Sequence, residues 1–306
     1  MDETAFARPV MVASACLGDA AVRYDGRALR DGFLARLRPF VELRPVYPEL
    51  EIGLGVPRDP ILVAGERLVQ PSTGRDLTAR MGRFARGFLG SLDGVDGFLL
   101  KSRSPSCGVG DVKAFDSRGR RLLARRTSGF FARAVLERFP LAAVEDEARL
   151  ADPALRERFL TRLFALAALR GVRSAADLAR FHARHELLLR AWSARAPGRL
   201  LARPRRPFAL LLEAYALAVR KALARPPRRS AQARALRDAM AYFPEEPKSR
   251  LLKCLEAFEA GRVPLGSPLA LLRGWLARRP RPRLGDPAFL RPFPEALAEN
   301  PSPRTP

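Results

Sequence analysis

A chain of 306 residues with 47% apolar and 28% charged side chains has the apolar content for two ordinary domains with cores of their own, which excludes a disordered or fibrous protein. Three cysteines, Cys16, Cys107 and Cys254, are too few and too dispersed for a disulfide framework. The net charge of +23 would draw polyphosphates, but nearly all of it is Arg, in a chain also rich in Ala, Leu, Gly and Pro; that joint bias is what a GC-rich coding sequence gives, and it weakens the case for nucleic acid.

In chain order, the opening MDETAFARPVMVASACLG sets acidic residues before a short apolar run. Neither a secretory signal nor a membrane anchor is expected there, and the cytoplasm is the default location. Pro9 to Ser14 reads as a buried strand, Ala28 to Leu37 as a helix and Phe40 to Val46 as a second strand. Asp76 to Leu92 reads as a helix with apolar spacing at Met81, Phe84, Phe88 and Leu89, and Gly97 to Lys101 as a third strand. This alternation predicts an α/β domain with a mainly parallel, Rossmann-like sheet. Val112 to Phe115 and Arg121 to Ala124 flank the turn signal at 116–119, predicting a hairpin. Thr127 and Ser128 are candidate caps for a helix running to Arg138.

From Asp152 onward the pattern is helical only, predicting an all-α second domain. Asp152-Pro153 opens a helix that Gly171 closes, and Ser174 opens another carrying His182 and His185. Further starts fall at Ser230, Glu246-Pro247 and Ser267-Pro268, with a stop at Gly261. The expected boundaries are 1–148 for the α/β domain and 149–299 for the helical one, with a disordered tail at 300–306. Basic, proline-rich connections carry Arg203, Arg205, Arg206, Arg228 and Arg229.

Cys16 follows the first strand and Cys107 the third. In an open parallel sheet the loops at the carboxyl ends of strands gather at one edge, where ligands bind, so the two thiols can meet there. The second strand ends on the same edge with Tyr47-Pro-Glu49-Leu-Glu51, and Arg58 follows in GLGVPR. The bland alternative is that each Cys is a small buried hydrophobe in a tight turn. GLGVPR lacks the third Gly of a dinucleotide fingerprint, and Ser104 and Ser106 lie outside any GxSxG, with both histidines in the second domain.

SACLG at 14–18, VRYDG at 22–26, PELEIGLGVPR at 48–58, GRDLT at 74–78 and LLKSRSPSCG at 99–108 resemble the thiouracil desulfidase family in order and spacing. FHARHELLLRA at 181–191 and KSRLLKCLEAFEAGRVPL at 248–265 resemble the YbgA-type domain fused behind it. The resemblance implies a 4Fe-4S cluster on three cysteines, with an open iron that takes the sulfur of a thiolated pyrimidine while water replaces it. It implies Cys16 and Cys107 as metal ligands and Ser104 and Glu49 as catalytic residues. Arg23, Asp25, Glu51, Arg58, Lys101 and Ser106 are the implied substrate contacts.

The third family cysteine, ahead of the PE motif, is Tyr47 here. Three readings follow: the cluster is lost, the Tyr47 phenolate ligates iron, or Cys254 supplies the thiolate. Cys254 is better read as a core thiol, because helical spacing puts it beside Leu251, Leu255 and Phe258. The expected activity is desulfuration of a thiolated nucleobase, nucleoside or tRNA fragment. The alternative is a non-catalytic RNA binder using the loop arginines. For His182 and His185 the expectation is hydrogen bonding between helices, since two residues do not close a metal site.

Overall fold

The computed structural model describes residues 6–116, 121–193, 197–201, 207–278 and 288–298. The chain divides into two compact units, one of residues 8–159 and one that includes residues 6–7 and 160–298. The first is α/β and the second is helical.

The first unit is built on a four-stranded sheet in the order β2-β1-β6-β9, from β1 (Val10–Ser14), β2 (Glu42–Val46), β6 (Gly97–Leu100) and β9 (Ala143–Asp146). All its pairings are parallel. Every residue of β1 and β6 is buried, as continuous apolar runs covered on both faces require. Pro45 is tolerated in β2 because that strand is the sheet edge and its missing N–H leaves no ladder bond unmade. Helices α3 (Thr78–Gly90) and α4 (Phe130–Arg138) pack together through Phe84, Phe88 and Phe131, whose ring centroids lie 5.6–5.9 Å apart.

Three features differ from the sequence expectation. Helix α1 runs only over Gly32–Leu37, because the Asp31 carboxylate caps it by accepting from Leu34 N at 2.7 Å. The residues before it are pinned instead to the first loop, through Leu29 N to Cys16 O and Asp31 N to Leu17 O. A second sheet, in the order β5-β4-β3-β7-β8, adds three unforeseen strands to the expected hairpin. It joins β3 (Leu62–Ala64), β4 (Arg67–Gln70) and β5 (Arg75–Asp76) to the hairpin strands β7 (Val112–Phe115) and β8 (Leu122–Thr127). Strands of two to four residues are too short for an alternating pattern to register. Finally, α4 has Gly129 at its N-cap and no side-chain cap, so neither Thr127 nor Ser128 serves there. The hairpin turn at 117–120 lies outside the described residues, as do the tail and Arg203, Arg205 and Arg206.

Helix α5 (Pro153–Arg170) begins at the expected Asp152, whose carboxylate accepts from Ala154 N at 2.8 Å. The helical unit continues through α6 (Ala175–Trp192), α7 (Phe208–Ala224), α8 (Arg229–Met240), α9 (Ser249–Glu259) and α10 (Gly266–Arg278). Ser174 and Asp177 form a reciprocal capping box at the head of α6. Gly261, at φ +75°, ends α9. Among the described residues no helix is long and apolar enough to cross a membrane.

Candidate functional site

Beyond the carboxyl ends of β1, β2 and β6 lies a cavity of about 600 Å³. Its walls include Cys16, Arg23, Tyr47, Glu49, Arg58, Lys101, Ser104 and Cys107, so eight of the residues singled out in the sequence meet on one surface. The chain runs from β1 to β2 on one side and then crosses to β6 on the other side of β1, the reversal of strand order at which open α/β sheets form a crevice. Asp25, Glu51 and Ser106 do not line it. Asp25 pairs with Arg23 at 3.2 Å, Glu51 is exposed at the end of α2 (Pro48–Glu51), and Ser106 is fully buried behind the wall.

The wall formed by SPSCG owes its shape to two glycines. A Cβ on Gly108 would stand 2.5 Å from Val112 Cγ2 and 2.8 Å from Asp111 Oδ1, and one on Gly129 would stand 2.5 Å from the Ser106 carbonyl. Without those methyls the N-terminus of α4 docks directly on the loop: Gly129, Phe130 and Ala132 donate their N–H groups to the carbonyls of Gly108, Pro105 and Ser106 at 2.9–3.0 Å. The unsatisfied donors of a helix start are thereby spent on holding the loop. Within the turn, Ser104 Oγ accepts from Ser106 N at 3.3 Å and from Cys107 N at 3.1 Å.

Glu49, in the first turn of α2, reaches the same loop. Its Oε1 accepts from Ser106 Oγ at 2.5 Å and stands 3.5 Å from Ser104 Oγ, and its Oε2 faces Arg58 Nη2 at 3.9 Å. The two serine hydroxyls are 2.8 Å apart. Arg58 is held by the carbonyls of Val22 at 3.0 Å and Gly55 at 3.2 Å, which fix its guanidinium beside Glu49.

Burial pushes the Cys16 thiol up to about 11, with the Glu49 charge adding to it and Lys101 acting against it. Burial and Glu49 also push the Cys107 thiol up, against a hydrogen bond from Ser14. Both are therefore thiols near neutrality, and metal binding there would displace protons. Ser14 and Glu147 were missed in the sequence. Ser14 Oγ accepts from Lys101 N at 3.0 Å, and Glu147, directly after β9, accepts from Ser102 N at 2.8 Å and Ser102 Oγ at 2.6 Å, and from Lys101 Nζ. Strand order brings these residues together, and no local motif announces it.

Residues 11–147 match the family model described as 2-thiouracil desulfurase, and residues 189–294 match one described as a protein of unknown function, DUF1722. The solved structure of a 4Fe-4S-dependent thiouracil desulfidase, TudS, is 30% identical, with 98% of that chain and 49% of this one covered and a TM-score of 0.39. The chain belongs to the 2-thiouracil desulfurase family. No curated protein matches it. Desulfurase membership covers the α/β unit, and the second match lies within the helical one.

The desulfurase relation gives the cavity's donor set a test. Two thiols, Cys16 and Cys107, face one cavity as a cluster on three cysteines needs, but the third position is the phenol of Tyr47. Among the described residues, no group of three His, Cys, Asp or Glu side chains is placed to hold a metal ion. Cys254 sits half-exposed on α9, where Leu251, Leu255 and Phe258 are the buried positions. The residues present do not complete a three-thiolate set.

In the helical unit, His182 Nδ1 meets Tyr215 Oη at 2.8 Å, linking α6 to α7. His185 bonds within its own helix, Nδ1 to Phe181 O at 2.9 Å, and stacks on the Phe181 ring. Arg229 lies over the Phe258 ring at 5.8 Å and donates to the Phe258 carbonyl at 3.4 Å, so it is engaged inside its own unit.

Proposed function

We propose that the α/β unit is a desulfidase-type pocket for a thiolated pyrimidine nucleobase or nucleoside, in which the proton-handling residues are complete and the cluster has lost its third thiolate at Tyr47. The observation that carries this reading is the convergence of Cys16, Cys107, Glu49 and Ser104 on one cavity at the carboxyl edge of a parallel sheet.

Desulfuration exchanges C=S for C=O, with water supplying the oxygen and hydrogen sulfide leaving. Ser106 has one hydroxyl proton, and its 2.5 Å contact commits that proton to Glu49 Oε1. Ser104 then donates to Ser106 Oγ, since its own oxygen is occupied by two backbone N–H groups. The result is a directed run of donors, Ser104 to Ser106 to Glu49, that fixes the carboxylate at the cavity wall, so that a proton passes between Glu49 itself and the bound base. Glu49 serves as the base toward water, while Arg58 and Arg23 supply positive charge for an oxygen or sulfur that becomes anionic.

The test is anaerobic iron–sulfur reconstitution of the wild type and of Tyr47→Cys, followed by absorbance, iron content and sulfide release from 2-thiouracil. The expected result is a cluster and sulfide release in the variant and neither in the wild type. Equal iron content and sulfide release in both proteins would refute the loss. Failure of both proteins to bind iron and 2-thiouracil would refute the pocket.

A further inference from the structure

We propose that Glu147 is a positioning residue that fixes the Lys101–Cys107 wall of the cavity, and that Lys101 acts as its lock on the loop instead of as a substrate contact. An ammonium group has three donors. Those of Lys101 go to Ser102 O at 3.1 Å, Ser102 Oγ at 2.9 Å and Glu147 Oε1, so none is left for a bound base.

The carboxylate of Glu147 takes three bonds from two consecutive residues: Oε1 accepts from Lys101 Nζ and Ser102 Oγ, and Oε2 accepts from Ser102 N. Lys101 N donates to Ser14 Oγ at 3.0 Å, and Ser14 in turn hydrogen-bonds the Cys107 thiol. Side chains at or just beyond the ends of three neighbouring strands, β1, β6 and β9, are thus joined where the wall begins.

The next residue shows why the loop needs such a hold. Arg103 sits at φ +58°, a conformation unfavourable for a side chain with a Cβ, and its N–H is clasped by both oxygens of Asp111 at 3.0 and 2.9 Å. Releasing Ser102 lets Arg103 relax, and the turn that places Ser104 and Cys107 relaxes with it. Glu147 is 10% exposed and Lys101 22%, so the pair is held largely out of water.

This inference rests on the pocket of the proposed function for its purpose, but its readout needs no thiolated base. Alkylation of Cys107 by iodoacetamide is followed by site-resolved mass spectrometry in the full-length chain, purified without added iron or sulfide, with Cys254 as the internal reference. Glu147→Gln should raise the Cys107 rate about tenfold, the effect of losing one charge-assisted bond, and leave Cys254 unchanged. Lys101→Met should raise it similarly, and the double variant should go no further than either single one, because both act through one link.

A Cys107 rate within twofold of the wild type in Glu147→Gln would overturn the proposal. So would multiplicative effects in the double variant, or parallel acceleration of Cys254, which would mark general destabilisation. 2-Thiouracil binding, measured separately, tests the pocket: its absence with the alkylation pattern intact overturns the substrate reading and leaves the positioning role standing.

Discussion

Replacement of Gly129 by Ala tests whether the helix start holds the site. The added methyl would stand 2.5 Å from the Ser106 carbonyl carbon and oxygen and 2.8 Å from Pro105 O, all backbone atoms that cannot rotate away. Relief to ordinary contact requires the helix and loop to part by roughly 1 Å, which stretches the bonds from Gly129, Phe130 and Ala132 beyond hydrogen-bonding distance. Three such bonds at about 1 kcal/mol each give a loss of about 3 kcal/mol. With a urea slope of about 2 kcal/mol per molar for a unit of this size, the midpoint falls by about 1.5 M.

The assay is the urea dependence of Cys107 labelling, which reads opening of this wall, compared with Cys254 labelling in the helical unit. Gly87→Ala is the control. Gly87 is exposed in the last turn of α3 with nothing near its missing Cβ, so the same chemical change should stabilise by up to about 1 kcal/mol. A Gly129→Ala protein with an unchanged Cys107 midpoint would refute the docking argument, as would equal shifts in the two glycine variants.

Three further outcomes follow from buried polar groups. Asp146 has no exposed surface, and burial raises its carboxyl to about 6 against a bond from Arg149 N, while its Oδ2 has no hydrogen-bond partner. Its folded-state affinity for a proton exceeds the unfolded one, so its contribution favours folding below about pH 4 and is lost as pH rises through about 6. Asp146→Asn should match the wild type near pH 4 and be more stable by up to about 3 kcal/mol at pH 7.5, read as urea midpoints by far-UV circular dichroism; equal differences at both pH values would contradict this. His185 has the opposite sign: burial lowers it to about 4, so its contribution is complete above about pH 6.5 and is lost as pH falls through about 4. Fluorescence of Trp192 and Trp275, both in the helical unit, should show that acid sensitivity in the wild type and a flatter profile in His185→Gln. Ser106→Ala should weaken 2-thiouracil turnover by Tyr47→Cys and shift its pH profile, because Glu49 loses a bond worth about 2 kcal/mol and the link to Ser104; an unshifted profile would show that Ser106 does not hold Glu49.

What was legible in the sequence was what neighbouring residues encode. The buried runs of β1 and β6, the Asp152 and Ser174 helix starts and the SPSCG turn each carry their signal within a few positions, and each stands where the pattern put it. Strands β3, β4 and β5 of the second sheet were silent because they are held by pairing across the fold and not by an alternating pattern of their own. Glu147 was silent for a related reason: nothing around it in the sequence distinguishes it from any surface Glu, and only the β1-β6-β9 order brings it to Lys101. Gly129 reads locally as a linker and acquires its meaning from a carbonyl 23 positions earlier, in Ser106.

Tyr47 combines both kinds of information. Its departure from the family pattern is visible as one letter, yet its consequence depends on where the side chain stands. Together with Ser14 and Ala15 it lines the site cavity on one side and a second cavity of about 420 Å³ on the other. A thiolate at this position would end within the wall, whereas a phenol ring is large enough to be the wall. Replacing Tyr47 by Cys therefore changes two properties together, adding a soft donor and thinning the partition between the cavities. Tyr47→Ala separates them: it thins the partition without supplying a thiolate, so it should alter 2-thiouracil affinity and assemble no cluster. A cluster in Tyr47→Ala would mean that room, and not the missing sulfur, is what the wild-type site lacks.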